Sequence, residues 1–173
     1  MKNLLLLGIA LILAGCASSP YQYYGEKPTQ VTGKYMFKLG ETTLTLNTER
    51  QPAGYLNQNQ LEGVLEEKLI AHLKENEMYS ESSNLAANVI VNYQRKFGYG
   101  DSLAKPKFSF TVDVFDGERK VGSTATGLVT TSFGTFGNAA VNAQIGTGTW
   151  DEENEPEDID MIALSISQDL AEF

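Results

Sequence analysis

Apolar side chains along this chain recur in distinct rhythms, and each rhythm names an element. Leu4 to Leu13 is a nearly unbroken apolar run behind Met1 and Lys2. It is too short to remain in a bilayer as a spanning helix and has the form of an export signal. Between Lys34 and Thr48 the rhythm is two: Tyr35, Phe37 and Leu39 alternate with Lys34, Met36 and Lys38, and beyond Gly40-Glu41 Leu44 and Leu46 alternate with Thr43, Thr45 and Asn47. Two extended runs around a glycine predict a β-hairpin, closed by the loop Gln51-Pro52-Ala53-Gly54. From Asn57 to about Glu77, Leu61, Val64, Leu65, Leu69 and Leu73 follow helical spacing, and Asn59 with Glu62 has the form of an N-terminal capping box.

The period returns to two from Asn84 to Gln94, where Ala87, Val89, Val91 and Tyr93 face one way and Asn88, Ile90, Asn92 and Gln94 the other. The asparagines read as the solvent side of a strand. Phe97 to Pro106 is a loop. In Lys107–Phe115, Phe108, Phe110, Val112 and Val114 alternate with Ser109, Thr111 and Asp113; Asp116-Gly117 then turns the chain into an antiparallel return through Val121, Ser123 and Ala125. A final helix is predicted from about Glu157, with Ile159, Ile162, Ala163, Ile166, Leu170 and Phe173 in a narrow stripe. Its polar side is acidic, which argues against a helix lying on a membrane. The order predicts an α+β domain over residues 31–173: a single antiparallel β-sheet of about four to five strands with two amphipathic helices on one face.

One stretch fits none of these rhythms. Gly127 to Thr149 holds no charge and is rich in Gly, Thr, Ala and Asn, with Phe133, Phe136, Val141 and Ile145 spaced through it. It reads either as a long loop that prolongs the preceding strand, or as an uncharged surface for self-association or partner contact through those four residues.

Cys16 is the only cysteine, so an internal disulfide framework is excluded. It follows Leu13-Ala14-Gly15 directly after the apolar run, which resembles the lipobox of bacterial lipoproteins. That resemblance implies removal of the signal peptide 1–15, diacylation of Cys16 by chains such as palmitate, and a lipidated tether over 16–30. Ala17 at the next position implies sorting to the outer membrane. Tyr21, Tyr23 and Tyr24 in the tether read as aromatics that dock on the domain or begin its first strand, with a headgroup contact as the rival. Loss of Lys2 with the signal takes the formal net charge from -9 to -10. So acidic a chain lacks the cations that nucleic acid or anionic lipid would require, and the acyl chains themselves must anchor it.

Candidate chemistry is sparse. His72 is the only histidine, with no nucleophile or second imidazole nearby in sequence, and reads as a helix-end residue at the edge of the core. Asp151 to Asp160 holds seven carboxylates, without the alternate acids and central glycine of a calcium loop. They read as a solvated acidic approach to the last helix, with Pro156 in its first turn. No catalytic residue, metal site or cofactor is predicted. The chain has no G-x-S-x-G, H-E-x-x-H or phosphate-binding loop.

K-Y-M-F-K-L at Lys34, N-V-I-V-N-Y-Q at Asn88, S-F-T-V-D-V-F-D-G at Ser109 and the terminal D-I-D-M-I-A-L-S-I-S-Q-D-L-A-E-F resemble the small bacterial lipoproteins of domain-of-unknown-function family 4136. The chain departs from that pattern in lacking a tryptophan near Val121 and in its longer stretch after Gly127. The resemblance implies no catalytic residues. The expectation is a non-enzymatic binding or assembly module of the cell envelope, held at the outer membrane by its acyl chains and facing the periplasm. Its partner would be another envelope protein or a second copy of itself, not nucleic acid. The alternatives are an oligomer-forming structural component of the outer membrane and, least favoured, a carboxylate-based hydrolase.

Overall fold

The computed structural model describes residues 35–98, 100–104, 106–130 and 147–173. Four strands and two helices follow one another as β1 (Lys38–Asn47), α1 (Gln58–Glu75), β2 (Leu85–Gln94), β3 (Lys107–Asp116), β4 (Arg119–Thr130) and α2 (Glu155–Ala171). The strands form one sheet in the order β1-β2-β3-β4. β2, β3 and β4 are antiparallel neighbours, whereas β1 runs parallel to β2. The α+β architecture matches the pattern of the chain, but the sheet is mixed rather than wholly antiparallel.

The predicted first hairpin is instead the single strand β1. Gly40-Glu41 is a bulge inside it, where the register with β2 shifts between Leu39 and Thr42. The Asn88 side chain occupies the space a Cβ on Gly40 would fill, since such an atom would lie 2.0 Å from Asn88 Oδ1. That oxygen accepts from the Glu41 N–H at 3.1 Å. A glycine within an alternating run marks a bulge as readily as a turn, and here its side-chain-free face decides. With no hairpin to reverse the chain, α1 crosses from the end of β1 to the start of β2, which makes the pair parallel.

α1 opens two residues earlier than the Asn59–Glu62 pairing implied. Asn57 is the N-cap: its Oδ1 accepts from Gln60 N–H at 3.1 Å, and Gln60 Oε1 accepts from Asn57 N–H at 2.9 Å. Glu62 is thereby released for another task. Its Oε2 accepts from Leu44 N–H at 2.8 Å, and Gln58 Oε1 accepts from Leu46 N–H at 3.1 Å. Both N–H groups point away from β2, so α1 side chains close the outer edge of the sheet on this side.

Leu61, Leu65, Leu69 and Leu73 on α1 are fully buried, each contributing about 1.5–3 kcal/mol by its removal from water. α1 packs on β1, α2 packs on β3, and the helices pack on each other, so both cover the same sheet face. The sheet side chains beneath them are Leu44, Ala87, Val89, Val91, Tyr93, Phe108, Phe110, Val112 and Val114, all buried. Small residues on β4 receive the large ones: Phe110 lies opposite Thr126, Val112 opposite Thr124 and Val114 opposite Gly122. The other sheet face is uncovered among the described residues and polar, with Thr45, Asn92 and Ser109 in one row across three strands. β4 continues through Gly127 to Thr130, so the preceding strand extends into the uncharged stretch. Register shifts place an extra residue at Val121, and Gly127 with Leu128 opposite Ser109 alone, and these bulges roughen that edge.

Replacing Gly40 by Ala is expected to cost about 1–3 kcal/mol through overpacking against Asn88. Most of that cost should vanish in an Asn88→Ala background, because the clash is with that side chain. Urea-unfolding free energies of the two single variants and the double variant measure the coupling; additive costs would contradict it.

Candidate functional site

β2 ends at Gln94, and the next residue on the inward parity of Ala87, Val89, Val91 and Tyr93 is Arg95. Its backbone N–H still bonds Asn47 O at 2.9 Å, prolonging the sheet register for one more residue. Parity therefore drives a guanidinium into the protein, where it is 1 % exposed. Glu155, the first residue of α2, meets it there and is fully buried. Arg95 Nε donates to Glu155 Oε1 at 2.6 Å and Nη2 to Oε2 at 2.8 Å, a two-pronged ion pair. Two further donors are used as well: Nη1 reaches Gln51 Oε1 and Nη2 reaches Leu56 O, both at 2.6 Å, so every nitrogen of the guanidinium is engaged.

Tyr93 OH lies 3.4 Å from Glu155 Oε1, and the Tyr55 ring stacks with the guanidinium at 5.2 Å. Tyr55 in turn packs edge-on against Phe97 at 5.3 Å, and its hydroxyl donates to Asp101 O. An outer layer covers this from solvent: Arg50 lies 4.5 Å over the Phe97 ring and bonds Asp101 Oδ1 at 2.7 Å. Three segments thus meet at one guanidinium, namely the loop after β1, the end of β2 and the start of α2, and the loop before β3 joins them through Tyr55.

The electrostatics follow from burial. Removal from water pushes the Glu155 carboxyl upward, while Arg95, a backbone hydrogen bond from Leu56 and the Tyr93 hydroxyl hold part of that rise back. The position at the first turn of α2 also suits a carboxylate, because the helix dipole is positive there. Burial raises Tyr93 well above the ordinary phenol value, helped by the nearby Asp158 and Glu155 carboxylates. Tyr55 is pushed up to about 12 by burial, then by Glu152, Asp151 and Glu155, against the pull of Arg95.

This geometry corrects the expected solvated acidic run. Glu155 and Asp158 are both fully buried, and only part of Asp151–Asp160 faces water. The physical reason is that α2 begins at Glu155 beside a buried cation that demands an anion. His72 sits where a helix-end histidine at the core edge was expected, with Nε2 3.0 Å from Asp160 Oδ1 across the helix seam. Lys68 Nζ approaches the same carboxylate at 3.7 Å. Among the described residues no group of three or more His, Cys, Asp or Glu is placed to hold a metal ion, and no helix is long and apolar enough to cross a membrane.

Cys16, Phe133, Phe136, Val141 and Ile145 lie outside the described residues. The sequence pattern alone did not single out the cluster around Arg95. Two signals could have done so: Arg95 continues the inward parity of β2, and Glu155 precedes Pro156 at the start of an apolar helix.

No protein-family model matches the chain, and no curated protein matches it, so the family likeness drawn from its motifs stays a resemblance. Solved structures with a loosely similar course include a Xanthomonas campestris protein of the DUF330 family (13% identity, 88% of this chain and 91% of that one, TM-score 0.43). Others are a minor lipoprotein from Acinetobacter baumannii (16%, 78% and 93%, TM-score 0.38) and a PelC dodecamer from Paraburkholderia phytofirmans (14%, 79% and 96%, TM-score 0.34). At these scores the likenesses assign no function.

Replacing Glu155 by Gln leaves the Arg95 charge buried without a counter-charge and should cost about 3–5 kcal/mol. Replacing both partners, Arg95→Met with Glu155→Leu, should cost clearly less; denaturant titration of the two variants gives the comparison, and a double variant no more stable than E155Q would refute the account. A second outcome concerns alkali. The folded-state value of Tyr55, about 12, lies above its unfolded value near 10. Its contribution to stability is therefore complete below pH 10 and is lost as the pH rises toward 12. Unfolding midpoints at pH 9 and pH 11 should fall more steeply for the natural chain than for Tyr55→Phe.

Proposed function

We propose that the chain is a lipid-anchored lipoprotein of the outer membrane whose folded part, residues 31–173, faces the periplasm and acts as a non-enzymatic binding or assembly module. The observation that supports a structural rather than a catalytic role is the closure of the one elaborate charged cluster described above. Every guanidinium nitrogen of Arg95 is met by an acceptor from the protein itself, and the pair is sealed from water. A guanidinium whose three nitrogens are all engaged and which is 1% exposed locks segments together and lies out of reach of a substrate. Catalytic carboxylates, by contrast, must reach the bond they act on.

The anchor rests on Cys16 and the export signal before it. Partner contact is assigned to the uncharged stretch with Phe133, Phe136, Val141 and Ile145, which leaves β4 at Thr130 and rejoins the described chain at Thr147. On an acidic molecule, an uncharged stretch lets a second protein approach without burying unpaired carboxylates.

Intact mass of the native product should show a chain beginning at Cys16 and carrying acyl groups. Deleting Asn138–Gly146 should leave that mass signature and the fold in place while removing specific envelope proteins from those crosslinked to the intact chain. An unmodified sulfur would overturn the anchor, and an unchanged crosslinked set would overturn the contact site.

A further inference from the structure

The strands give the domain two ends, and the chain outside the described residues joins at only one of them on the N-terminal side. The starts of β1 and β2, the β3–β4 turn and the end of α2 share the end at which Tyr35 enters. The Arg95–Glu155 cluster and the loops around it occupy the opposite end, about 30 Å away at roughly 3.3 Å per residue along a ten-residue strand.

Around the point of entrance two large apolar side chains are exposed among charged ones. Met36 is 51% exposed, and Phe173, two residues past α2, is 37% exposed. The Phe173 ring is seated against Phe37 at 6.2 Å and Tyr35 at 6.5 Å, both edge-on. It rests on Gly122 of β4: a Cβ there would come within 1.9 Å of the ring, so only glycine leaves the space. Strand alternation turns Met36 to the side opposite Tyr35 and Phe37, so Met36 and Phe173 flank the entering segment from two sides.

Resting on the lipid anchor proposed above, we infer that this end is a docking surface for the bilayer, with Met36 and Phe173 touching the headgroup–acyl boundary. Eighteen residues separate Cys16 from Tyr35. They can span at most about 65 Å when fully extended and join the domain at this end, so this end stays within that reach of the lipid while the opposite end can lie about 30 Å farther off. Tethering raises the effective concentration of lipid at the joining end, so a contact too weak to hold a free protein suffices. The attraction is apolar rather than electrostatic. Glu77, Glu81, Asp116, Glu118 and Glu172 outnumber Lys38, Lys74, Arg119 and Lys120 here, which disfavours anionic lipid. Docked this way, the domain stands end-on, with the Arg95–Glu155 cluster and the points at Thr130 and Thr147 turned away from the membrane.

The test uses the full lipidated chain in vesicles of phosphatidylethanolamine with a minor fraction of phosphatidylglycerol and a nitroxide on the headgroup. Single cysteines replace Arg119, at the joining end, or Glu49, at the far end; both side chains are mostly exposed. Each carries a fluorophore, since an acylated Cys16 offers no competing thiol. Flotation with the vesicles reads the anchor, and quenching reads the docking. Quenching at position 119 should exceed that at 49 by at least about twofold, given the ~30 Å offset. Met36→Ser with Phe173→Ser should keep flotation and erase the difference. Equal quenching in a floating protein, or a difference that survives the double substitution, overturns the docking while the anchor stands. Failure to float overturns the anchor and the docking with it.

Discussion

A guanidinium that cannot reach water sets the terms for this fold. Arg95 is carried inward by the parity of β2, and its burial is tolerable because Glu155 meets it with both oxygens and Gln51 and Leu56 each accept a further bond. A buried ion pair adds little net stability compared with well-packed apolar groups, because desolvation offsets most of its attraction. Its effect is positional. Any sliding of α2 along the sheet separates charges in a low-dielectric interior, and any lifting of the loop after β1 strips the guanidinium of two neutral acceptors; both are costly. The pair therefore ties the start of the last helix to the end of a central strand more strictly than the leucine contacts of α1 could alone.

The rest of the architecture divides the molecule into unlike surfaces. Both helices cover one sheet face, and the other presents hydroxyls and amides from Thr45, Asn92 and Ser109. Glu62 and Gln58 close one edge of the sheet, and bulges at Val121 and Gly127–Leu128 interrupt the other. Protected edges keep open strands from pairing with those of a neighbouring molecule. The two ends differ as well: an apolar collar of Met36 and Phe173 lies where the chain enters, and a sealed polar cluster lies opposite.

Much of this was legible from local pattern. The buried arcs of α1 and α2, and the inward sets of β2 and β3, follow from side-chain periodicity, because each element must bury its apolar side somewhere. The turn at Gly117, with φ 62°, was legible because few residues other than glycine accept that conformation. His72 at the helix seam was legible from its place in the last turns of α1. Gly40 misled, since a glycine between two alternating runs has the same local signature whether the chain turns or bulges. Asn88, forty-eight positions on in the sequence, resolves the ambiguity by filling the missing side chain's space. The acids before α2 misled for a similar reason, because a carboxylate's burial depends on what faces it.

What the sequence by itself determined is the two helices, the strands β2 to β4, the α+β class and the faces those elements bury, because periodicity and turn chemistry act between residues close along the chain. Only the tertiary structure decided that β1 runs parallel to β2, that Glu62 guards a strand edge, and that Arg95 and Glu155 meet in the interior. Each of those depends on partners far apart in sequence, and charge pairing and the space left by an absent Cβ exist only once the chain has closed on itself.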